Sequence, residues 1–143
     1  MPINGFTIGR DVAVDIIMPQ GPVRFSIVTG WEAQPIQTGI ESKGLDGTDR
    51  FGTIPSGWQG TVDIDRADAN MDIAFDFLET LYYSGQNVPA SSITETITEP
   101  NGTITVWRFV GVAFQFAEHG SFQGDAKVTQ RLSWRASRRI RML

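Results

Sequence analysis

A mainly β, antiparallel fold carrying one helix is what this sequence predicts, and three observations predict it. Several segments alternate apolar and polar residues with period two, the signature of half-buried strands. Proline- and glycine-rich turns separate them, among them Asn101-Gly102, a pair that tolerates the positive φ of tight hairpins. Only one stretch, residues 68–84, repeats its apolar residues at helical spacing.

Taken in order, Val12 to Met18 reads as a strand ended by Pro19-Gln20-Gly21-Pro22. From Val23 to Thr29, Val23, Phe25 and Ile27 fall on one face, with Arg24 and Ser26 on the other. Gly30 permits a bend, and a further extended stretch over 32–42 sets Ile36 and Ile40 opposite Gln37 and Glu41. Residues 43–57 hold four glycines and a proline with no clean period, which predicts a long loop. Loops of that length inside one domain are usually functional or mobile, the alternative being a plain surface excursion.

Trp58 to Arg66 resumes strict alternation, with Val62 and Ile64 inward and Thr61, Asp63 and Asp65 outward. In the helix over 68–84, Asp68 is placed to cap the first turn. Met71, Ala74, Phe75, Leu78, Leu81 and Tyr82 form its buried stripe, with Asp72, Asp76 and Glu79 on the far side and Gly85 closing it. Strands over 92–99 and 103–117 flank the Asn101-Gly102 turn. The second has apolar residues on both faces: Val106, Val110, Val112, Phe114 and Phe116 on one, Trp107 and Phe109 on the other. That predicts a strand between two layers or at a subunit contact. After Glu118-His119-Gly120, a last strand alternates Val128, Leu132 and Trp134 with Thr129, Arg131, Ser133 and Arg135.

At 143 residues, 41% hydrophobic and 20% charged, the chain reads as one folded domain over 1–143 without repeats or linkers. The absence of cysteine excludes disulfide frameworks, thiolate zinc sites and cysteine nucleophiles, and the single histidine, His119, excludes the common His-rich metal sites. The net charge of −4 is uneven. Residues 125–143 set Lys127, Arg131, Arg135, Arg138, Arg139 and Arg141 against Asp125, giving +5 and leaving −9 for the rest. An acidic body repels phosphates, which argues against general nucleic-acid binding. No run reaches the roughly 20 apolar residues of a membrane helix, and the first ten residues lack the pattern of a signal peptide. Synthesis and folding in a cytoplasm are expected.

Positive signs of catalysis are missing. Asp63 and Asp65 point the same way and fit a divalent-cation site or a carboxylate pair, but also any solvated strand face. His119 falls in a turn, where solvation is the ordinary state. No nucleophile elbow, Walker loop or dinucleotide fingerprint occurs, and Gly57-Trp58-Gln59-Gly60 opens a strand where a phosphate cradle needs a helix. Trp31, Trp58, Trp107 and Trp134 fit a ligand cavity as well as core or interface positions.

The order of these pieces is informative. A long Gly-rich segment precedes Gly57-Trp58-Gln59-Gly60-Thr61-Val62-Asp63-Ile64-Asp65-Arg66, then one helix ending Leu81-Tyr82-Tyr83-Ser84-Gly85 and the Asn101-Gly102 hairpin. Phe109-Val110-Gly111, His119-Gly120 and the segment from Val128-Thr129-Gln130-Arg131 to Arg138 follow. From about Phe6 to Arg139 the arrangement resembles the tail tube proteins of contractile-tailed bacteriophages. The resemblance implies an antiparallel β-sandwich or split barrel with one helix packed on it. Six copies would form a ring whose strands merge into one barrel, and rings would stack into a tube that conducts DNA without binding it specifically. It further implies a structural virion protein of the tail, assembled in the host cytoplasm, without enzymatic activity or cofactor. Its partners would be other copies of itself and the sheath, tape-measure and baseplate proteins. The long loop would make inter-ring contacts through Lys43, Leu45, Asp46, Asp49, Arg50 and Phe51. Thr61, Asp63 and Asp65 would face the lumen, and the basic Arg138, Arg139 and Arg141 would meet a neighbouring subunit or the sheath. The alternatives are the tube of a bacteriocin tail or type VI secretion device, a monomeric ligand-binding β-barrel lined by the tryptophans, and an enzyme using Asp63 and Asp65.

Overall fold

The computed structural model describes residues 4–23 and 27–143. Its eight strands are β1 (Val12–Met18), β2 (Gly21–Val23), β3 (Ile27–Lys43), β4 (Asp49–Asp65), β5 (Ser91–Thr98), β6 (Ile104–Glu118), β7 (Thr129–Ala136) and β8 (Arg138–Arg141). One helix, α1 (Asn70–Tyr83), lies between β4 and β5. The expected mainly β fold with a single helix is therefore what forms. The expected alternation over 24–26 lies outside the described residues.

All strand pairings are antiparallel and fall into two layers that share β6. One layer runs β2-β1-β5-β6, with β8 on the other side of β6; the second runs β3-β4-β7-β6. Ile16 and Met18, Ile93, and Phe109 from the first layer meet Val62 and Ile64, Leu132, and Trp134 from the second in one buried cluster. The aromatic residues form its centre: Trp31 stacks on Trp134 at 5.1 Å, and Phe109 makes T-shaped contacts with Trp31, Trp58 and Trp134. Trp134 thus belongs to the core, and Trp31 and Trp58 pack against it. Trp31 Nε1 also donates to the buried Glu95 carboxylate, tying the two layers together.

β6 corrects one expectation. Trp107 and Phe109 were expected to face away from Val112, Phe114 and Phe116, with both faces covered. A bulge at Gly111, whose φ is +64°, shifts the alternation by one residue, so Phe109 and Val112 are both buried in the same core. A Cβ on Gly111 would lie 2.5 Å from Ser137 Oγ, because β7 and β8 turn the same corner alongside it.

The helix follows its predicted stripe in part. Met71 and Ala74 are buried and Phe75 and Leu78 pack on the core, whereas Tyr82 is exposed because α1 runs past the edge of the sheet there. Asp68 accepts the backbone N–H of Asn70, one residue earlier than a formal cap. The chain closes after Tyr83 with Gln86 N–H bonded to Leu81 O and Gly85 N–H to Tyr82 O. Asp72 does not face solvent as expected. It points down to the sheet, where it accepts from Gln130 Nε2 at 2.9 Å and from Arg66 Nη2 at 3.0 Å.

The largest correction concerns 43–57. This segment is no loop: β3 and β4 stay paired as far as Lys43 and Asp49, with register shifts at Val28/Gly30 and Ile36/Gln37, and only 44–48 turn. β4 meets β7 only from Trp58 onward, so residues 37–55 project from the sheet as a two-stranded arm. Its strands bury neither face, hence no clean apolar period marks the second of them in the sequence. Seven paired residues per strand give it a reach of roughly 20 Å at about 3.3 Å per residue.

Candidate assembly interface

Three surfaces remain after the core is formed. The first is the outer face of β3-β4-β7-β6. Register aligns Gln34, Gln59, Arg135 and Ala113 in one row, and Glu32, Thr61, Ser133 and Gln115 in the next. Gly30, Asp63, Arg131 and Glu118 form a third. Their chain neighbours Trp31, Val62, Leu132 and Phe116 point into the core, so this face is largely polar, with Ala113 and the half-exposed Ile27, paired to Asp65, as its apolar members. Thr61, Asp63 and Asp65 lie on it as expected, but the two carboxylates are not bare. Arg131 Nε donates to Asp63 Oδ1 at 2.8 Å, an interaction that raises the guanidinium pKa above its ordinary value. Lys127 Nζ lies 3.4 Å from Asp65 Oδ2. The face therefore mixes Glu32, Asp63, Asp65 and Glu118 with Lys127, Arg131 and Arg135, and is far less acidic than a sequence-derived stripe of Asp63 and Asp65. No group of metal-ligating side chains forms among the described residues.

The second surface is a pair of strand edges. β3 ends the layer on one side with its outer N–H and C=O groups unpaired among the described residues. On the other side, β6 pairs with β5 only as far as Val112, so residues 113–118 present a second free edge. Exposed edges of this length are templates for another strand.

The arm is the third. Leu45 at its tip is fully exposed and Phe51 is 76% exposed, with Ile40 and Ile54 also open to solvent. Ile40 lies across Gly52, where a Cβ would come within 2.9 Å of it. Lys43, Asp46, Asp49 and Arg50 flank these apolar residues in the chain, and Lys43 Nζ lies 3.8 Å from Glu41. All six sequence-selected residues of this segment thus lie in one protruding element.

The basic end divides. Arg138 and Arg141 are exposed, but Arg139 is held within its own chain, its guanidinium 4.1 Å from the Trp58 ring and 3.8 Å from the Trp107 ring. β8 was missed in the sequence, although Arg138 and Ile140 alternating with Arg139 and Arg141 is a short strand pattern. Because cation–π contacts at partly desolvated sites are worth about 1–2 kcal/mol, Arg139→Ala is expected to lower the melting midpoint in a circular dichroism scan. Arg139→Lys should retain part of the difference.

His119 lies 3.3 Å from Asp72 through Nδ1, mostly exposed and against Phe116 and Phe122. It supports the corner between α1 and the sheet, where its partner Asp72 is already engaged by Gln130 and Arg66. No helix among the described residues is long and apolar enough to cross a membrane.

No protein-family model matches the chain, and no curated protein matches it. Solved structures do. The sheath/tube terminator of the extracellular contractile injection system PVC, in its extended state, aligns with TM-score 0.64 and 16% identity over 100% of this chain and 98% of that one. The cap that terminates the tube of the anti-feeding prophage aligns with TM-score 0.63 and 12% identity over 99% and 94%. A chain of the PVC sheath–tube complex aligns with TM-score 0.61 and 17% identity over 90% and 87%. At these identities the likeness is one of fold, and the fold is that of chains from contractile injection systems.

Proposed function

We propose that this chain is a non-enzymatic structural subunit of the inner tube of a contractile tail or injection device, closing into six-membered rings that stack. One observation carries the reading: a four-stranded sheet with a largely polar outer face ends in two free edges. Strand directions alternate across β3-β4-β7-β6, so β3 and β6 are antiparallel to each other. An even number of alternating strands means that a rotated copy meets β3 with its β6 in antiparallel pairing at every seam. Closing the ring in this way removes both edges at once.

The polar face then lines the lumen. Thr61, Asp63 and Asp65 belong to that wall, whose paired charges and mainly polar lining let cargo pass without adhering. In a phage tail the cargo is DNA, and the tube would be part of the virion, assembled in the host cytoplasm with tape-measure and baseplate proteins. Helix α1 lies on the opposite side with Ile73 and Phe77 exposed, where a surrounding sheath could reach it, as could Arg138 and Arg141. The arm reaches the next ring.

A second reading is favoured by the likeness to two terminators, each covered over at least 94% of its length. In it, rings of this chain close the end of a tube in an injection device. Negative-stain electron microscopy of the purified protein tests both. Long hollow tubes are expected for a tube subunit, single or paired rings for a terminator, and a chain that stays monomeric at high concentration overturns the proposal.

A further inference from the structure

Two clefts flank the free edges. Beside β3, residues 28–31 form one wall of a cleft of about 680 Å³, roofed by Val12 and Val14 of β1 and by Arg10. Beside the free part of β6, a groove of about 500 Å³ is roofed by Phe75, Leu78, Glu79 and Tyr82 of α1. Each cleft opens along one of the two edges that would meet between copies, so joining the edges sets the clefts mouth to mouth. Each also holds one exposed charge, of opposite sign, Arg10 and Glu79. Neither has an ion-pair partner among the described residues.

We propose that the occupant of each cleft is a second copy of this chain, with Arg10 of one copy paired to Glu79 of the next while Tyr82 and Val28 are covered between them. The inference rests on the tube reading and adds to it the determinant of register. Edge strands joined by backbone hydrogen bonds alone can slip by two residues and keep the same faces in and out. A charge pair above the seam removes that freedom, because a slipped copy leaves both charges unmatched in a partly desolvated groove. Cross-seam electrostatics therefore selects one register where the backbone accepts several.

The experiment is a charge swap in the full chain: Arg10→Glu, Glu79→Arg and the two together. Ring formation is followed by sedimentation velocity, folding by far-UV circular dichroism. Each single variant is expected to raise the half-assembly concentration about tenfold or more, and the double variant to return it to within about threefold of wild type. Both side chains are exposed, so the monomers should melt as wild type does; Arg10→Gln and Glu79→Gln give a milder version should a reversal disturb folding. Wild-type rings with single variants that assemble normally, or a double variant as weak as the singles combined, overturn the pairing alone. Singles that form rings but no stacks also overturn it, since the clefts would then face another ring. A wild-type chain that never assembles overturns the tube reading, and the pairing with it.

Discussion

Replacing Trp134 by alanine is expected to remove about 3–5 kcal/mol of folding stability, a large share of the roughly 5–15 kcal/mol that a domain of this kind possesses. Trp134 is 1% exposed, and its ring stacks on Trp31 and makes a T-shaped contact with Phe109. Truncation would leave a void between the two layers at the point where β3, β6 and β7 all converge. The surrounding aromatic rings are too rigid to collapse into it, so the cavity cost adds to the lost transfer energy. Trp134→Phe should be far milder, under about 2 kcal/mol. The indole Nε1 is buried without a hydrogen-bond partner, so phenylalanine gives up ring volume and no hydrogen bond. Urea unfolding followed by far-UV circular dichroism separates the two variants. Similar midpoints for Trp134→Ala and wild type would mean that the aromatic cluster is not the centre of the core.

Trp134 was legible in the sequence because it stands in a strand that alternates cleanly, and the same holds for Val62, Ile64 and Leu132, all fully buried as expected. Alternation reports burial on one face, and it fails where that condition lapses. On the arm neither face is buried, so Gly44, Gly47, Gly52 and Pro55 read as a loop although Gly52 and Pro55 are strand residues. At Gly111 burial persists but the phase shifts, and a single bulge reversed the expected orientation of Trp107 and Phe109 relative to the rest of β6. Charge partners were less legible still. Asp63 and Asp65 were correctly placed on an outer face, yet their neutralisation depends on Arg131 and Lys127, more than sixty positions away in sequence and adjacent only through the β4–β7 register. The sequence pattern thus exposed the faces of each strand, whereas neighbours across the sheet came only from the fold.

Removing the arm, by replacing residues 37–56 with an Asn-Gly turn between Ile36 and Gly57, is expected to abolish stacking of rings while leaving the domain folded. No residue in 37–55 is buried, so its loss takes no contact from the core, and a two-residue Asn-Gly loop suits the right-handed twist of the strands it would join. The melting midpoint should stay within a few degrees of wild type. Assembly stands differently. An isolated two-stranded ribbon is marginal in water, and this one exposes Leu45, Phe51, Ile40 and Ile54 with charges around them, a composition that becomes favourable only when another surface covers it. The strand edges proposed to close each ring, at residues 27–36 of β3 and 113–118 of β6, lie outside the deleted segment. Rings should therefore persist where tubes do not, and electron microscopy reads both in one field. Leu45→Asp with Phe51→Asp should reproduce the effect without shortening the chain. Tubes of normal length from the deleted chain would remove the arm from the inter-ring contact. Loss of the rings as well would show that the arm acts at the lateral seam, with β3 as its continuation into the neighbouring copy.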